Sequence, residues 1–196
     1  MFKFCPSCAS KKICFKEGKV LHCPDCGFIY YHNIAAAAGC LISVPKPDGE
    51  RLVFQVRGKE PAAGKLDLPG GFVDIGEGVI EGLYREIKEE LGWAPHIPAG
   101  ENPANVFKLV ASFSNVYRYK GIDYNTCDIY FSVSAPGLTP DDFQLEKDEI
   151  AAVRFLKREE INYDELAFES TKRAVKAYWT CSVTRLVTEQ LYYGVK

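Results

Sequence analysis

Residues 71–93 read GFVDIGEGVIEGLYREIKEELGW, and this stretch constrains the chain more than any other. A helix starting just after Gly76-Glu77-Gly78 gathers Ile80, Leu83, Tyr84, Ile87 and Leu91 into one apolar stripe at about 100° per residue. On the opposite side Glu86, Glu89 and Glu90 share a face, because i, i+3 and i+4 are helical neighbours. Such like charges repel, and they stand towards the C-terminal end, where the helix dipole disfavours acids. Gly78 and Gly82 add a further cost of about 1 kcal/mol each relative to alanine. A helix that breaks so many local rules marks a functional place. Carboxylate oxygens suit a hard divalent cation, Mg²⁺ or Mn²⁺. Gly82 is expected to leave room beside the metals. The alternative is a solvated acidic face.

The wider spacing decides between them. Gly71, Glu77, Arg85, Glu86, Glu89, Glu90 and Gly92 stand as G-x5-E-x7-R-E-U-x-E-E-x-G-U, with apolar Ile87 and Trp93 at the U positions. This resembles the signature of the Nudix hydrolases at every defined position. The resemblance implies divalent-metal-dependent hydrolysis of a nucleoside diphosphate linked to another moiety. By position Glu86, Glu89 and Glu90 are its metal ligands, and Glu77 with Arg85 is the ion pair fixing loop to helix. A backbone carbonyl near Gly70 also binds metal in such proteins. An acid after the central strands commonly serves as ligand or base. In the run Glu146-Lys147-Asp148-Glu149-Ile150 that acid matches Glu149, with Glu146 as runner-up.

Near the N-terminus, Cys5-Pro6-Ser7-Cys8 and Cys23-Pro24-Asp25-Cys26 form two C-x-x-C knuckles 14 residues apart. Four thiolates at that spacing suit structural Zn²⁺, since so short a segment buries little core without metal. Two disulfides or a redox dithiol are the alternatives. Cys14 is a spare, buried or free, while Cys40, Cys127 and Cys181 read as core. His22, His32 and His96 receive no role.

The resulting expectation is a Nudix α/β/α sandwich with a mixed β-sheet, preceded by a small zinc ribbon. Residues 1–32 form the ribbon, 33–165 the Nudix domain, and 166–196 a helical segment packed on the domain or at a homodimer contact. Strands are expected from Ile34 to Val44, Arg51 to Arg57, Val106 to Tyr119, Tyr124 to Ser134 and Ala152 to Leu156, and a helix from Phe168 to Tyr193. Among the strand aromatics, Phe113, Tyr117, Tyr119 and Tyr124 are candidates to stack on a base.

A ribbon followed by this domain resembles the NADH pyrophosphatase branch. That branch carries S-Q-P-W-P-F-P-x-S shortly after the box, whereas this chain has Ser112-Phe113-Ser114-Asn115-Val116-Tyr117. ADP-ribose and a dinucleotide such as NADH therefore both stand as substrates. The rival reading is a non-catalytic nucleotide sensor with a nucleic-acid-binding ribbon. A net charge of −2 weighs against nucleic acid. No run approaches the roughly 18 apolar residues of a membrane span, and the start lacks a signal core, so a cytoplasmic address is expected.

Overall fold

The computed structural model describes residues 2–180 and divides after Ile34 into two units. In the first, three antiparallel strands, β1 (Cys14–Lys16), β2 (Val20–His22) and β3 (Ile29–Tyr31), form a small sheet in the order β1-β2-β3. The two knuckles are built alike. Ala9 N–H donates to the Cys5 carbonyl and Gly27 N–H to that of Cys23, each at 2.9 Å. Ala9 and Gly27 both take left-handed backbone, φ 60° and 75°. Leu21 is the one aliphatic side chain among the unit's described residues that is fully buried, alongside the sulfurs of Cys5 and Cys23. Cys14 is exposed, its Sγ 3.4 Å from the His22 carbonyl.

The second unit is built on a seven-stranded sheet. β4 (Ala35–Val44) lies at its centre, parallel to β9 (Ile122–Ser134), while β5 (Arg51–Arg57), β8 (Lys108–Tyr119) and β10 (Ile150–Lys157) complete the order β10-β5-β4-β9-β8. All other pairings are antiparallel, so the sheet is mixed. β6 (Leu66–Asp67) and β7 (Gly70–Phe72) dock on β5 and β4. These two lie in what reads in sequence as loop, because two or three residues carry no periodicity. β8 starts two residues later than expected, after a 3₁₀ turn at Pro103–Asn105 capped by the Asn102 side chain.

Helix α1 (Val79–Leu91) covers one face of the sheet. Leu83, Ile87 and Leu91 there meet Cys40, Ile42 and Val53. Residues 169–180 form a second helix, α2, on the other face, where Ala174, Val175 and Trp179 meet Leu41, Leu52 and Phe54. β4 is thus covered on both sides, which explains its unbroken run of small and apolar residues. The result is the α/β/α sandwich expected. The expected C-terminal helix is described to residue 180; its remainder, with Cys181, lies outside the described residues.

Candidate active site

Gly78 caps α1 in extended backbone, and its N–H donates to the Glu81 carboxylate at 2.7 Å. One turn further on, Arg85 faces back to the preceding loop. Its Nε donates to Glu77 Oε1 at 2.7 Å, its Nη2 to Glu77 Oε2 at 3.0 Å and to the Phe72 carbonyl at 3.2 Å. The Arg85 guanidinium holds the Glu77 carboxyl below its ordinary range. Gly82 serves this loop rather than a metal. A Cβ there would stand 3.0 Å from Glu77 Oε2 and 3.5 Å from Val73 Cα, so the space expected beside the metals is filled by the loop.

The three glutamates that share a helical face differ in environment. Glu90 is 6% exposed and accepts from Gln55 Nε2 at 2.9 Å and from Gly70 N–H at 2.8 Å. Burial, opposed by the neutral donors of Gly70 and Gln55, pushes its carboxyl up to about 8. Glu86 is partly buried and accepts from Arg85 Nη1 at 2.9 Å; burial raises its carboxyl too, against the pull of Arg85. The Glu89 side chain is 54% exposed and bonds the same Nη1 at 2.9 Å.

Two glycines explain the tight approach of β7. Gly70 has φ 139°, and a Cβ on it would collide with the Ala38 carbonyl oxygen of β4. At Gly71 a Cβ would lie 2.6 Å from the Glu86 carboxyl carbon, so glycine is what lets that carboxylate lie against the strand.

Beside them opens a cavity of about 390 Å³, whose lining includes Gly70, Glu86, Glu90 and Glu149. Glu149 ends the turn before β10 and is ion-paired with Lys59. Gly58 N–H donates to the Glu149 carbonyl at 2.6 Å, and a Cβ on Gly58 would approach that oxygen to 2.9 Å. Glu146 does not line the cavity; its N–H donates to the Glu90 carbonyl instead.

Buried polar side chains that sequence reasoning passed over complete the walls. Asp67 accepts from Arg57 Nη1 at 3.0 Å and from Thr171 Oγ1 at 2.9 Å, while Asp128 accepts from Thr126 Oγ1 and Ser170 Oγ. The available signal was polarity inside apolar strands: Gln55 in LVFQV, Asp67 in LDL, Thr126 and Asp128 on β9. Of the four candidate aromatics, Tyr117 lines the cavity, together with the unforeseen Phe72 and Phe168. Phe113 instead lies under Arg173, 4.1 Å from its ring centroid, and Tyr119 and Tyr124 are exposed.

Both expected metal sites have donor sets that fit. A buried carboxylate without a cation costs several kcal/mol, so Glu90 next to Glu86 suits a hard divalent ion. In the first unit the sulfurs of Cys5, Cys8, Cys23 and Cys26 lie within 4.8 Å of one another, a closeness that no other such group matches among the described residues. Cys5–Cys26 and Cys8–Cys23 are each 3.7 Å apart. That is close to the tetrahedral edge of about 3.8 Å given by a Zn–S distance of about 2.3 Å.

Residues 34–178 match the NUDIX domain family. Among curated proteins, an NAD-capped RNA hydrolase NudC of Chromobacterium violaceum is 33% identical over 90 residues, 46% of this chain and 32% of that protein. An ADP-ribose pyrophosphatase of Methanocaldococcus jannaschii is 39% identical over 69 residues, 35% of this chain and 38% of that protein. The chain thus spans about a third of the length of such relatives. A solved NUDIX hydrolase of Nitrosomonas europaea shares the fold with a TM-score of 0.60, at 24% identity and 89% coverage of both chains.

Proposed function

The chain belongs to the NUDIX family, and from that premise we propose that it hydrolyses the pyrophosphate bond of a nucleoside diphosphate derivative, ADP-ribose or a dinucleotide such as NADH, with divalent metal. The observation that carries this reading is the buried Glu90 carboxyl, which stands beside Glu86 on a cavity wall and has no Lys or Arg paired with it among the described residues. Relatives named as an NAD-capped RNA hydrolase and an ADP-ribose pyrophosphatase, both hydrolases of nucleotide derivatives, support this reading.

Glu86, Glu89, Glu90 and Glu149, with the Gly70 carbonyl, would hold Mg²⁺ or Mn²⁺. Bound metal would neutralise the pyrophosphate oxygens and lower the pKa of water. Arg85 orients Glu86 and Glu89 through its Nη1 and fixes α1 to the loop through Glu77. A water oxygen attacks one phosphorus, the bridging P–O bond breaks, and the water proton passes to a cavity carboxylate. Glu149 suits that task by its place on the cavity wall with Glu86 and Glu90. Cys5, Cys8, Cys23 and Cys26 would hold zinc, with no open position for chemistry.

The test is a Mg²⁺ and Mn²⁺ activity screen over NADH, NAD, ADP-ribose, dinucleoside polyphosphates and sugar nucleotides. Two phosphomonoesters from one of them, abolished by EDTA, is the expected result. Tight binding without turnover on every substrate would favour a nucleotide sensor instead.

A further inference from the structure

We propose that Thr126 and Asp128 of β9 form the recognition floor for the nucleoside end of the ligand, and that Asp128 is specificity-determining because it demands hydrogen-bond donors there. The inference rests on the reading that the acidic face of α1 handles the pyrophosphate.

Strand alternation puts Thr126, Asp128 and Tyr130 on one face of β9, all three lining the cavity and all buried. The hydroxyl protons of this wall are already committed. Tyr130 OH donates to Ser170 Oγ at 3.0 Å, Ser170 Oγ to Asp128 Oδ2 at 2.7 Å, and Thr126 Oγ1 to Asp128 Oδ1 at 2.6 Å. Asp128 is where the chain of donors ends. A carboxylate offers about four acceptor positions, of which two are used. No cation pairs with Asp128 among the described residues. Arg57, which also lines the cavity, directs two of its five N–H donors to Asp67 and the Pro61 carbonyl and stacks 5.1 Å from the Phe168 ring centroid.

A floor whose described hydroxyl donors are committed, while the Asp128 carboxyl oxygens keep spare acceptor positions, favours hydroxyl or amino groups over phosphate. The rim adds a second requirement. Tyr117 sits edge-on to Phe72 at 5.6 Å and 5.8 Å from Phe168, so three rings of the cavity wall offer flat or edge contacts to a planar group. Planarity and donors together describe a nucleoside. At about 390 Å³ the cavity falls in the usual range of about 300–1,000 Å³ for small-ligand sites. The donors come from the ribose hydroxyls or from an amino edge of the base.

Titration of the full chain with adenosine and guanosine in EDTA, followed by amide NMR shifts, tests this without metal, phosphate or turnover. Expected are shifts at residues 126–130 and 171 at millimolar nucleoside, with affinity at least about tenfold weaker in Asp128→Asn. That variant keeps the side-chain shape, and Thr126 and Ser170 can turn to accept from the new amide. If it does not fold, Tyr117→Ala at the rim carries the same expectation of weakened binding. A 2′,3′-dideoxyadenosine arm separates the sources: loss of binding assigns the donors to the sugar, and retention assigns them to the base. Absence of wild-type shifts, or equal affinity in the folded variants, overturns the proposal. A Mg²⁺ assay on the same preparation keeps the two readings apart. No hydrolysis despite nucleoside binding removes the hydrolase reading, whereas hydrolysis with indifference to nucleosides removes this one.

Discussion

Arg85 and Glu77 are joined by two parallel hydrogen bonds, Nε to Oε1 at 2.7 Å and Nη2 to Oε2 at 3.0 Å, across the junction of loop and helix. The same guanidinium also reaches Glu86 and Glu89, so one planar fork sets the position of three carboxylates. Lysine keeps the charge but not the fork. Arg85→Lys should lower the melting temperature by a few degrees and cut kcat by about tenfold or more, because the acidic face loses its fixed geometry. Unchanged kcat in the folded variant would show that the fork does not position the site.

The unequal burial of the glutamates orders their expected effects. Glu90→Gln preserves shape and removes a carboxyl ligand held between Gln55 and Gly70, where burial leaves no solvent to replace it. Turnover should fall by about a hundredfold or more, with weaker Mn²⁺ binding by paramagnetic resonance. Glu89→Gln should fall less, since Glu89 faces solvent and water can stand in for it. Near-normal turnover and Mn²⁺ affinity in Glu90→Gln would take this residue out of the metal site.

The ribbon's stability should depend on zinc, because Leu21 is the one fully buried aliphatic side chain among its described residues. Elemental analysis of the reduced protein should find about one zinc per chain. Strong chelation should collapse the dispersed amide signals of residues 2–34. Ala9 carries φ 60° where the twin knuckle has Gly27. Ala9→Gly should therefore stabilise the ribbon by about 0.5–1 kcal/mol, read as slower loss of zinc to chelator. Faster loss would mean that the left-handed turn at Ala9 is not a source of strain.

Helix α1 was legible because its period, its cap at Gly78 and its stop at Gly92 are all local. Where its carboxylates go was not. Gln55 and Gly70, which set Glu90 apart from Glu89, arrive from β5 and β7 through pairings that no local pattern encodes. Asp128 is a sharper case. Its partner Ser170 lies 42 residues away, and Thr171 reaches Asp67 across 104. A polar residue within an apolar strand shows that something must satisfy it, and only the packing of α2 shows what. Gly82 is the opposite case: helical spacing places it on the face of Glu86, but the preceding loop occupies the space.

One pH dependence follows from the hairpin that joins β4 to β5. Asp48 accepts from Arg51 at 2.7 and 2.9 Å and pairs with Lys157 of β10 at 2.9 Å. Arg51, and then Lys157, hold its carboxyl well below the ordinary range. A depressed folded pKa stabilises the protein above the unfolded value of about 3.9, and the contribution fades as pH falls towards the folded value. Asp48→Asn should thus melt lower than wild type at pH 7, with the gap narrowing between pH 5 and pH 3. A gap constant over that range would mean that the bridge contributes nothing through charge.

Glu149 has an acidic neighbour in sequence, Glu146. Both are acids in the turn before β10, yet their surroundings differ. Glu149 lines the cavity with Glu86 and Glu90, and its charge is among those that raise the Glu86 carboxyl. Glu146 lies off the cavity, held by backbone bonds to Glu90, Glu149 and Ile150. Lys59 occupies Glu149, and a divalent ion bound there must displace or share that contact. Lys59→Ala should therefore tighten Mn²⁺ binding to the chain without substrate, while Glu149→Gln weakens it. In turnover, Glu149→Gln should lose about tenfold or more and Glu146→Gln little, as expected if one carboxylate meets the reacting centre and the other does not. Equal, small effects of the two variants on both Mn²⁺ affinity and kcat would assign Glu149 to the surface turn alone.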